Sequence, residues 1–369
     1  MNKINVVIVG LKFGSSFVDL YKRHPKVGTV GIYDIDVEST NICQKFFNVD
    51  KVYGSFEEIL NDPNVDAVHL VTPIPLHAQQ TVQVQNANKH CACTVPMATS
   101  IDDIKLIGEA VKRTNKNYMM METTLYTYHF LYIQEMLEKN EFGRIQFLRG
   151  THYQDMTNWS DYWMGLPPMY YGTHAIAPMV VLSGSRIKRV NCFGSGTMDI
   201  ELQKKYNNPY PVECALFEFE NGLKGEATRT LFETARTYQE GLFVYGSKAS
   251  FEWGFSDGDL PYITKSEPQS ANIRGTKDTV EQVRPPKYLE KIPVEIIPKT
   301  NSLGVKGIED ENGHHGSHPH LVHEFIMSII ENRKPFIDYF LAANITAAGI
   351  CAHESAMKNG EAIIIPNFE

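Results

Sequence analysis

The sequence lacks several features that would place the chain outside ordinary globular domains. No C-x-x-C pair occurs among its six cysteines (Cys43, Cys91, Cys93, Cys192, Cys214, Cys351). Scattered, reduced, buried thiols of a cytoplasmic protein are therefore expected. Cys91 and Cys93 stand two apart in an apolar run and share a face. No run of about 18 apolar residues is present, so no membrane span is expected. The first residues hold no long apolar segment followed by a small-residue cleavage site, so no signal peptide is read. Positive charge is not in excess: 35 Lys and Arg stand against 43 Asp and Glu, a net charge of −8. That balance argues against a nucleic-acid surface. Internal repeats, low-complexity tracts and an H-E-x-x-H metal motif are absent too.

What is present suits two globular domains of ordinary size: 369 residues, 43% of them hydrophobic and 21% charged,. The organising stretch is the first turn. Val6-Val7-Ile8-Val9 runs into Gly10-Leu11-Lys12-Phe13-Gly14-Ser15, and a helix-like segment to Tyr21 follows. Strand, glycine turn and helix in that order open a dinucleotide-binding unit. A helix N-terminus offers unpaired N–H groups and a favourable dipole to a pyrophosphate, and glycine lets the backbone come close. The usual spacing is G-x-G-x-x-G or G-x-G-x-x-A. Here Lys12 replaces the second glycine and Ser15 is the small third residue, so the motif alone leaves an ordinary βα turn open. Lys12 either supplies a cation to phosphate or crowds it.

Val27 to Tyr33 reads as the second strand and ends at Asp34. An acid there accepts hydrogen bonds from ribose hydroxyls and repels a 2′-phosphate, which predicts NAD rather than NADP. Further strands are expected at Val52-Tyr53, Val65 to Val71, His90 to Thr94 and Tyr118 to Met121. Helices alternate with them, including Ser39 to Phe47, capped Ser55 with Glu58, His77 to Asn86 and amphipathic Ile101 to Thr114,. This alternation predicts a doubly wound parallel sheet over residues 1–123. From 124 to 369 the pattern changes. A helix from Tyr128 to Asn140 precedes strand-like runs: Ile145 to His152, Ile187 to Phe193, Val212 to Glu218, Leu223 to Thr230, Leu242 to Tyr245 and Ser250 to Trp253. One helix, Tyr171 to Leu182, interrupts them. An open, mainly antiparallel sheet with helices on one face is expected. Ser256 to Gly316, polar and rich in Pro and Gly, reads as long surface loops. Two helices, Pro319 to Glu331 and Tyr339 to Asn359, close the chain.

Thr72-Pro73, His77, Thr94-Val95-Pro96 and Gly172-Thr173-His174, with the opening turn and Asp34, resemble the glucose–fructose oxidoreductase / inositol dehydrogenase / MocA family. The resemblance covers essentially the whole chain, including the Ala342-Ala343-Asn344 helix. It implies a Rossmann domain followed by an open antiparallel sheet, and oxidation or reduction of a carbinol carbon in a sugar or polyol. It implies that Thr72, Pro73 and His77 lie near the nicotinamide ribose and that the loop from Thr94 to Met97 borders the nicotinamide. It also implies a homodimer or homotetramer. The family usually reads Glu-Lys-Pro where this chain has Thr94-Val95-Pro96, and Val95 has no group to place substrate or move a proton. The family's Asp-x-Gly-x-His becomes Tyr170-Tyr171-Gly172-Thr173-His174, and an acid three residues beyond the histidine becomes Ala177.

The remaining candidates follow from chemistry. His174 is expected to carry the proton. Glu122, Tyr126 and Tyr170 are expected to supply what the missing lysine and aspartate would. His152, Asp155, Arg149, Arg229 and Arg236 lie in the second domain, and two arginines facing a cleft would suit a sugar acid. Five histidines (His314, His315, His318, His320, His323) fall within ten residues. His320 and His323 share a helix face, but no tight ligand motif surrounds them, so no metal is expected. The cofactor-contacting set is Gly10, Lys12, Phe13, Gly14, Asp34, Thr72, Pro73, His77, Thr94, Val95 and Pro96. Three functions remain open at this stage. They are a dehydrogenase with exchangeable NAD, an enzyme that recycles tightly held NAD through epimerisation or elimination, and a sensor that has lost catalysis. Asp34→Ala is expected to weaken discrimination between NAD and NADP. Titrating both cofactors against the variant checks this, and an unaltered preference would remove Asp34 from the ribose.

Overall fold

The computed structural model describes residues 3–236, 238–256, 258–268, 276–297 and 314–369. The first part of the chain alternates as its pattern predicts: β1 (Ile4–Val9), α1 (Ser15–Arg23), β2 (Val27–Tyr33), α2 (Val37–Phe47), β3 (Lys51–Val52), α3 (Phe56–Asn61), β4 (Ala67–Leu70), α4 (His77–Asn86), β5 (His90–Thr94), α5 (Ile101–Thr114) and β6 (Tyr118–Met121). These strands form one parallel sheet in the order β3-β2-β1-β4-β5-β6. The order reverses between β1 and β4, which is where such sheets bind ligands beyond the strand ends. β4 and β6 are buried along their whole length, as strands covered on both faces require,. Local chemistry sets the helix starts. Ser55 accepts from the amide of Glu58 at 3.1 Å, and Glu58 reaches back to the amide of Gly54 at 2.8 Å. Ser100 accepts from the amide of Asp103 at 3.1 Å,.

The second part contains α6 (Tyr128–Glu138), β7 (Ile145–Tyr153), α7 (Thr173–Ser183), β8 (Ile187–Ser195), α8 (Ile200–Gln203), β9 (Val212–Phe219), β10 (Lys224–Thr230), β11 (Gln239–Gly246), β12 (Ala249–Glu252), β13 (Tyr262–Pro268), β14 (Thr276–Gln282), α9 (Ser317–Ile330), α10 (Tyr339–Met357) and β15 (Ile363–Ile364). Nine strands make one sheet in the order β14-β13-β12-β11-β7-β10-β9-β8-β15. All its pairings are antiparallel except β7 with β10. The loop expectation for Ser256 to Gly316 needs correction, because β13 and β14 lie within it and extend the sheet edge. Apart from buried Ile263 their sequences are largely polar, and Val280 is 61% exposed, so no inward stripe betrays them,. Residues 257, 269–275 and 298–313 of that stretch lie outside the described residues. The helix expected from Tyr171 begins at Thr173, after a 3-10 turn over Pro168–Tyr171.

By contacts the chain divides into two compact units. One is Met1–Thr127, Lys287–Ala343 and Phe368–Glu369; the other is Tyr128–Pro286 and Asn344–Asn367. By this clustering α9 falls with the Rossmann sheet. The bonds responsible join residues far apart in sequence. Asn117 donates to the hydroxyl of Ser328 and the carbonyl of Arg333, each at 2.9 Å, and the amide of Met120 donates to Ile337 at 3.2 Å.

In the second unit α7 lies on β7, β10 and β11. It is buried from Thr173 to Val180, so it has no solvent face to pattern,. Gly150 on β7 permits this approach, since a Cβ there would fall 2.0 Å from the carbonyl oxygen of Ala175. Pro178, inside the helix, cannot donate the usual bond to the carbonyl of His174,.

Histidines line the contact between α9 and the rest of the first unit. The ring of His318 packs on Phe17 at 4.4 Å, and His323 Nδ1 stands 3.1 Å from His24 Nε2. His320 stacks on Tyr126 at 6.4 Å, and the hydroxyl of Tyr21 is 3.3 Å from His69 Nδ1. Burial holds these imidazoles neutral: it lowers His69 to about 3, His24 to about 4, helped by the charge of neighbouring His323, and His320 to about 4. A histidine depressed in the fold takes up its proton more readily once unfolded, so stability is complete above about pH 6.5 and is lost as pH falls. We expect the melting temperature to decline between about pH 6.5 and 4, with net proton uptake on unfolding in that window. Calorimetry in buffers of different ionisation enthalpy measures this, and a flat profile would contradict neutral histidines at the α9 contact.

Candidate functional site

In the first unit, the glycine turn and the end of β2 are built together. Gly10 adopts φ +90°, and a Cβ there would lie 2.4 Å from the carbonyl oxygen of Val71. At Gly14 a Cβ would lie 2.0 Å from the carbonyl of Gly10. Both positions thus demand glycine, and together they leave a bare backbone turn at the start of α1, where no side chain caps the helix. Asp34 accepts from the amide of Leu11 at 2.6 Å through one carboxylate oxygen and from the amide of Asp36 at 2.9 Å through the other. The acid is thereby fixed beside the turn. Lys12 is exposed and Phe13 is 41% exposed, resting edge-on against Phe17 and His318. The glycine turn with Asp34 fits a dinucleotide, offering a helix N-terminus to phosphate and a carboxylate to ribose.

His77, at the start of α4, ties the loops after β4 and β5 together. Its Nε2 lies 2.7 Å from the carbonyl of Thr72, and its Nδ1 lies 2.7 Å from the carbonyl of Pro96. Carbonyls only accept, so both contacts are donations when the ring is charged and one is when it is neutral. Burial lowers its pKa while the two carbonyls pull the other way. The hydroxyl of Thr72 donates to Gln80 at 2.6 Å, and that of Thr94 donates to the carbonyl of Leu70 at 3.3 Å. Pro73 leads into a 3-10 turn, and Val95 is 7% exposed before a cis bond to Pro96. Glu122, fully buried after β6, accepts from the amide of Thr124 at 3.1 Å and its hydroxyl at 2.8 Å. It starts the turn that carries Tyr126, whose ring meets His320 and Phe336.

In the second unit, a row of buried polar residues crosses four adjacent strands. Glu213 on β9 pairs in register with Arg229 on β10, Arg229 with His152 on β7, and His152 with Glu240 on β11. Each is at most 3% exposed. This row carries the segment leading to His174. Glu213 accepts from the amide of Met169 at 2.7 Å and contacts His353 Nδ1 at 2.6 Å. Arg229 donates from Nε to the carbonyl of Tyr171 at 3.0 Å, from Nη2 to Gln154 at 3.1 Å, and from Nη1 to the carbonyls of His152 and Thr230. Burial lowers its pKa to about 10, so it stays charged at neutral pH. His174 then sits with its ring centre 4.9 Å from His152 and 5.4 Å from Tyr171. Tyr170 meets His353 edge-on at 5.2 Å, and burial raises its hydroxyl pKa.

Sequence reasoning singled out His174, His152 and Arg229 but not Glu213 and Glu240, which strand register places in the same row as His152 and Arg229. The signal available was an acid at an inward position of an alternating strand. The arginines proposed for an acidic substrate are engaged elsewhere. Arg149 pairs with Glu226 at 2.5 Å, and Arg236 donates to the carbonyl of Phe255. Among the described residues no group of three or more His, Cys, Asp or Glu is placed to hold a metal ion. No helix among them is long and apolar enough to cross a membrane.

A parallel six-stranded dinucleotide unit joined to a nine-stranded, largely antiparallel sheet defines the class. The profile of the oxidoreductase family with an NAD-binding Rossmann fold matches residues 4–122, and the GFO/IDH/MocA C-terminal domain matches residues 130–252. The chain belongs to the Gfo/Idh/MocA oxidoreductase family. Among solved structures, a levoglucosan dehydrogenase in complex with NADH and levoglucosan superimposes with a TM-score of 0.79 at 21% identity, covering 99% of this chain and 100% of that one. A myo-inositol 2-dehydrogenase from Lactobacillus plantarum gives 0.75 at 16%, covering 99% and 100%. Among curated relatives, an alpha-N-acetylgalactosaminidase of Shewanella oneidensis is 24% identical over 224 residues, 53% of this chain and 49% of that protein. The chain thus spans about half the length of the curated relatives it matches.

Removing the guanidinium leaves the carbonyls of Tyr171 and His152 without their donor. Arg229→Met is therefore expected to cost about 3 kcal/mol or more of stability. Urea unfolding monitored by tryptophan fluorescence measures it, and a change below about 1 kcal/mol would mean that the row does not hold the segment.

Proposed function

We propose that this chain is an NAD-dependent oxidoreductase acting on a CH–OH group of a sugar, polyol or sugar-derived substrate. The observation that carries the reading is the bond from the Leu11 amide to Asp34, which joins the bare glycine turn to an acid suited to a ribose. Gly10, Gly14 and the α1 N-terminus are assigned to the pyrophosphate, and Asp34 to the adenosine ribose, which favours NAD over NADP. Thr72, Pro73, His77, Thr94, Val95 and Pro96 are assigned to the nicotinamide side. Bound there, the nicotinamide supplies the hydride acceptor or donor. The chain's own part is to orient the carbinol and manage one proton. His174 takes that proton on a ring nitrogen during oxidation and returns it during reduction. Tyr170, standing where the family has an aspartate, offers its hydroxyl as a donor. Glu122 and Tyr126 are assigned to supporting the first unit's loops at the nicotinamide.

A second reading has its own support. Val95 and Tyr170 replace the family's lysine and aspartate, and the curated relatives include glycoside-cleaving proteins. In that case NAD stays bound and returns to its starting state, and a glycoside is cleaved with net addition of water. The two readings separate in one assay. NADH accumulates with a free polyol in the first; an aglycone is released without NADH in the second. In either, His174→Ala is expected to lower turnover at least about a hundredfold with NAD affinity nearly unchanged. Turnover equal to wild type in that variant, measured beside NAD titration, would end His174's role.

A further inference from the structure

The sheet face that α7 covers carries a carboxylate with one oxygen unmatched. Gly150 of β7 faces α7, and His152, two residues along the strand, points the same way,. Its register partners, Arg229 on β10 and Glu240 on β11, share that face,. His174, in the first turn of α7, brings its ring centre to 4.9 Å from that of His152. Tyr238, two residues before Glu240, meets the His152 ring edge-on at 5.3 Å and donates its hydroxyl to Glu240 Oε1. Burial, with the charge of Glu240, raises the Tyr238 pKa well above its ordinary value, so the hydroxyl keeps its proton. Glu240 Oε2 has no hydrogen-bond partner, although the residue is 3% exposed. The other carboxylate of the row is fully used. Glu213 accepts from the Met169 amide through one oxygen and meets His353 Nδ1 with the other.

The fixed charges on either side of His152 have opposite sign. Arg229 donates to three carbonyls and one amide oxygen, and none of these acceptors is a carboxylate. Its charge therefore disfavours a proton on a neighbouring imidazole, whereas Glu240 favours one. A buried carboxylate left half matched is costly, and a positive charge formed beside it offsets that cost. Among the described residues, the titratable and charged groups set against the two imidazoles are Arg229 from β10, Glu240 from β11, Tyr238 just before β11 and Tyr171 just before α7. We propose that Glu240 is a positioning residue: acting through His152, its free oxygen stabilises the proton that the His152–His174 pair receives. The carbinol O–H proton goes to His174 while the C–H hydride goes to nicotinamide, and the pair then holds one positive charge beside Glu240. In reduction the same proton returns to the carbonyl oxygen. This rests on the reading of His174 as the acid–base group only for where the proton comes from.

The test is a pH titration of the imidazoles by NMR in the full chain, isotope-labelled at the histidine nitrogens. The resonances of His152 and His174 are identified by their loss in His152→Asn and His174→Ala. We expect Glu240→Gln to lower the titration midpoint of the pair by about one pH unit or more, the scale of one charge at close range. Tyr238→Phe removes the donor that shares the carboxylate and is expected to raise the midpoint by about half a unit. A midpoint unmoved in folded Glu240→Gln overturns the proposal, and so does a wild-type pair that stays neutral down to about pH 4. If Glu240→Gln does not fold, Tyr238→Phe decides alone, and a midpoint unmoved or lowered in that variant overturns the proposal. Midpoints that shift as expected, beside wild-type turnover in His174→Ala, end His174's role in the reaction and leave the hold of Glu240 on the pair standing. Midpoints unmoved by Glu240→Gln, with turnover lost in His174→Ala, do the reverse.

Discussion

The second unit depends on one guanidinium placed where no water reaches it. Arg229 sits at the middle of the sheet, on the only parallel junction among its described pairings, between β7 and β10. A buried cation is costly unless its donors are matched, and here four carbonyl or amide oxygens match them,. Two of those oxygens belong to Tyr171 and His152, which flank His174. The charge that the fold must accommodate is therefore the same charge that sets where His174 stands. Glu213 does similar work one strand away by holding the Met169 amide. The segment leading to His174 is pinned at Met169 and Tyr171 by side chains from the sheet, and Gly150 lets α7 settle close to β7.

The first unit answers a different constraint. Its site is backbone, and its requirement is emptiness at Gly10 and Gly14. Side chains are recruited only to hold loops: Asp34 the glycine turn, His77 the two loops after β4 and β5, Glu122 the turn after β6. That explains why Lys12 is tolerated within an otherwise glycine-led motif. Its side chain is exposed, while the two glycines that remain are the ones whose Cβ atoms would meet backbone carbonyls.

The legible parts of the sequence were those governed by local periodicity. Strands alternating with helices can be read residue by residue, most plainly at the largely buried β1, β4, β5 and β6, and the parallel sheet follows. His174 could be found because its Gly-Thr-His turn is a local motif. Illegible were features decided by distant partners. β13 and β14 carry no inward stripe, since they lie at a sheet edge. Helix α9 joins the first unit because of bonds from Asn117 and Met120, which are some two hundred residues away in sequence. Glu213 and Glu240 look like any acids in half-exposed strands until strand register aligns them with Arg229 and His152. Register is not written in any one strand.

The replacements at Val95 and Tyr170 are best understood against that division of labour. A lysine at the Val95 position would contribute a mobile charge from the first unit. Valine there contributes only packing, and is buried accordingly. The second unit meanwhile is rich in groups that hold or relay protons: His152, His174, Tyr170, Tyr171, Tyr238 and Glu240, held around a fixed arginine. Arg229 thus gathers titratable side chains within the second unit, while the first keeps the bare glycine turn and Asp34. Either proposed reaction, a simple dehydrogenation or one that recycles its cofactor, needs a hydride partner and a base. What distinguishes them is whether a second proton must be moved at a neighbouring carbon. The cluster around His174 holds two imidazoles within 5 Å ring to ring, whereas a single carbinol oxidation needs one.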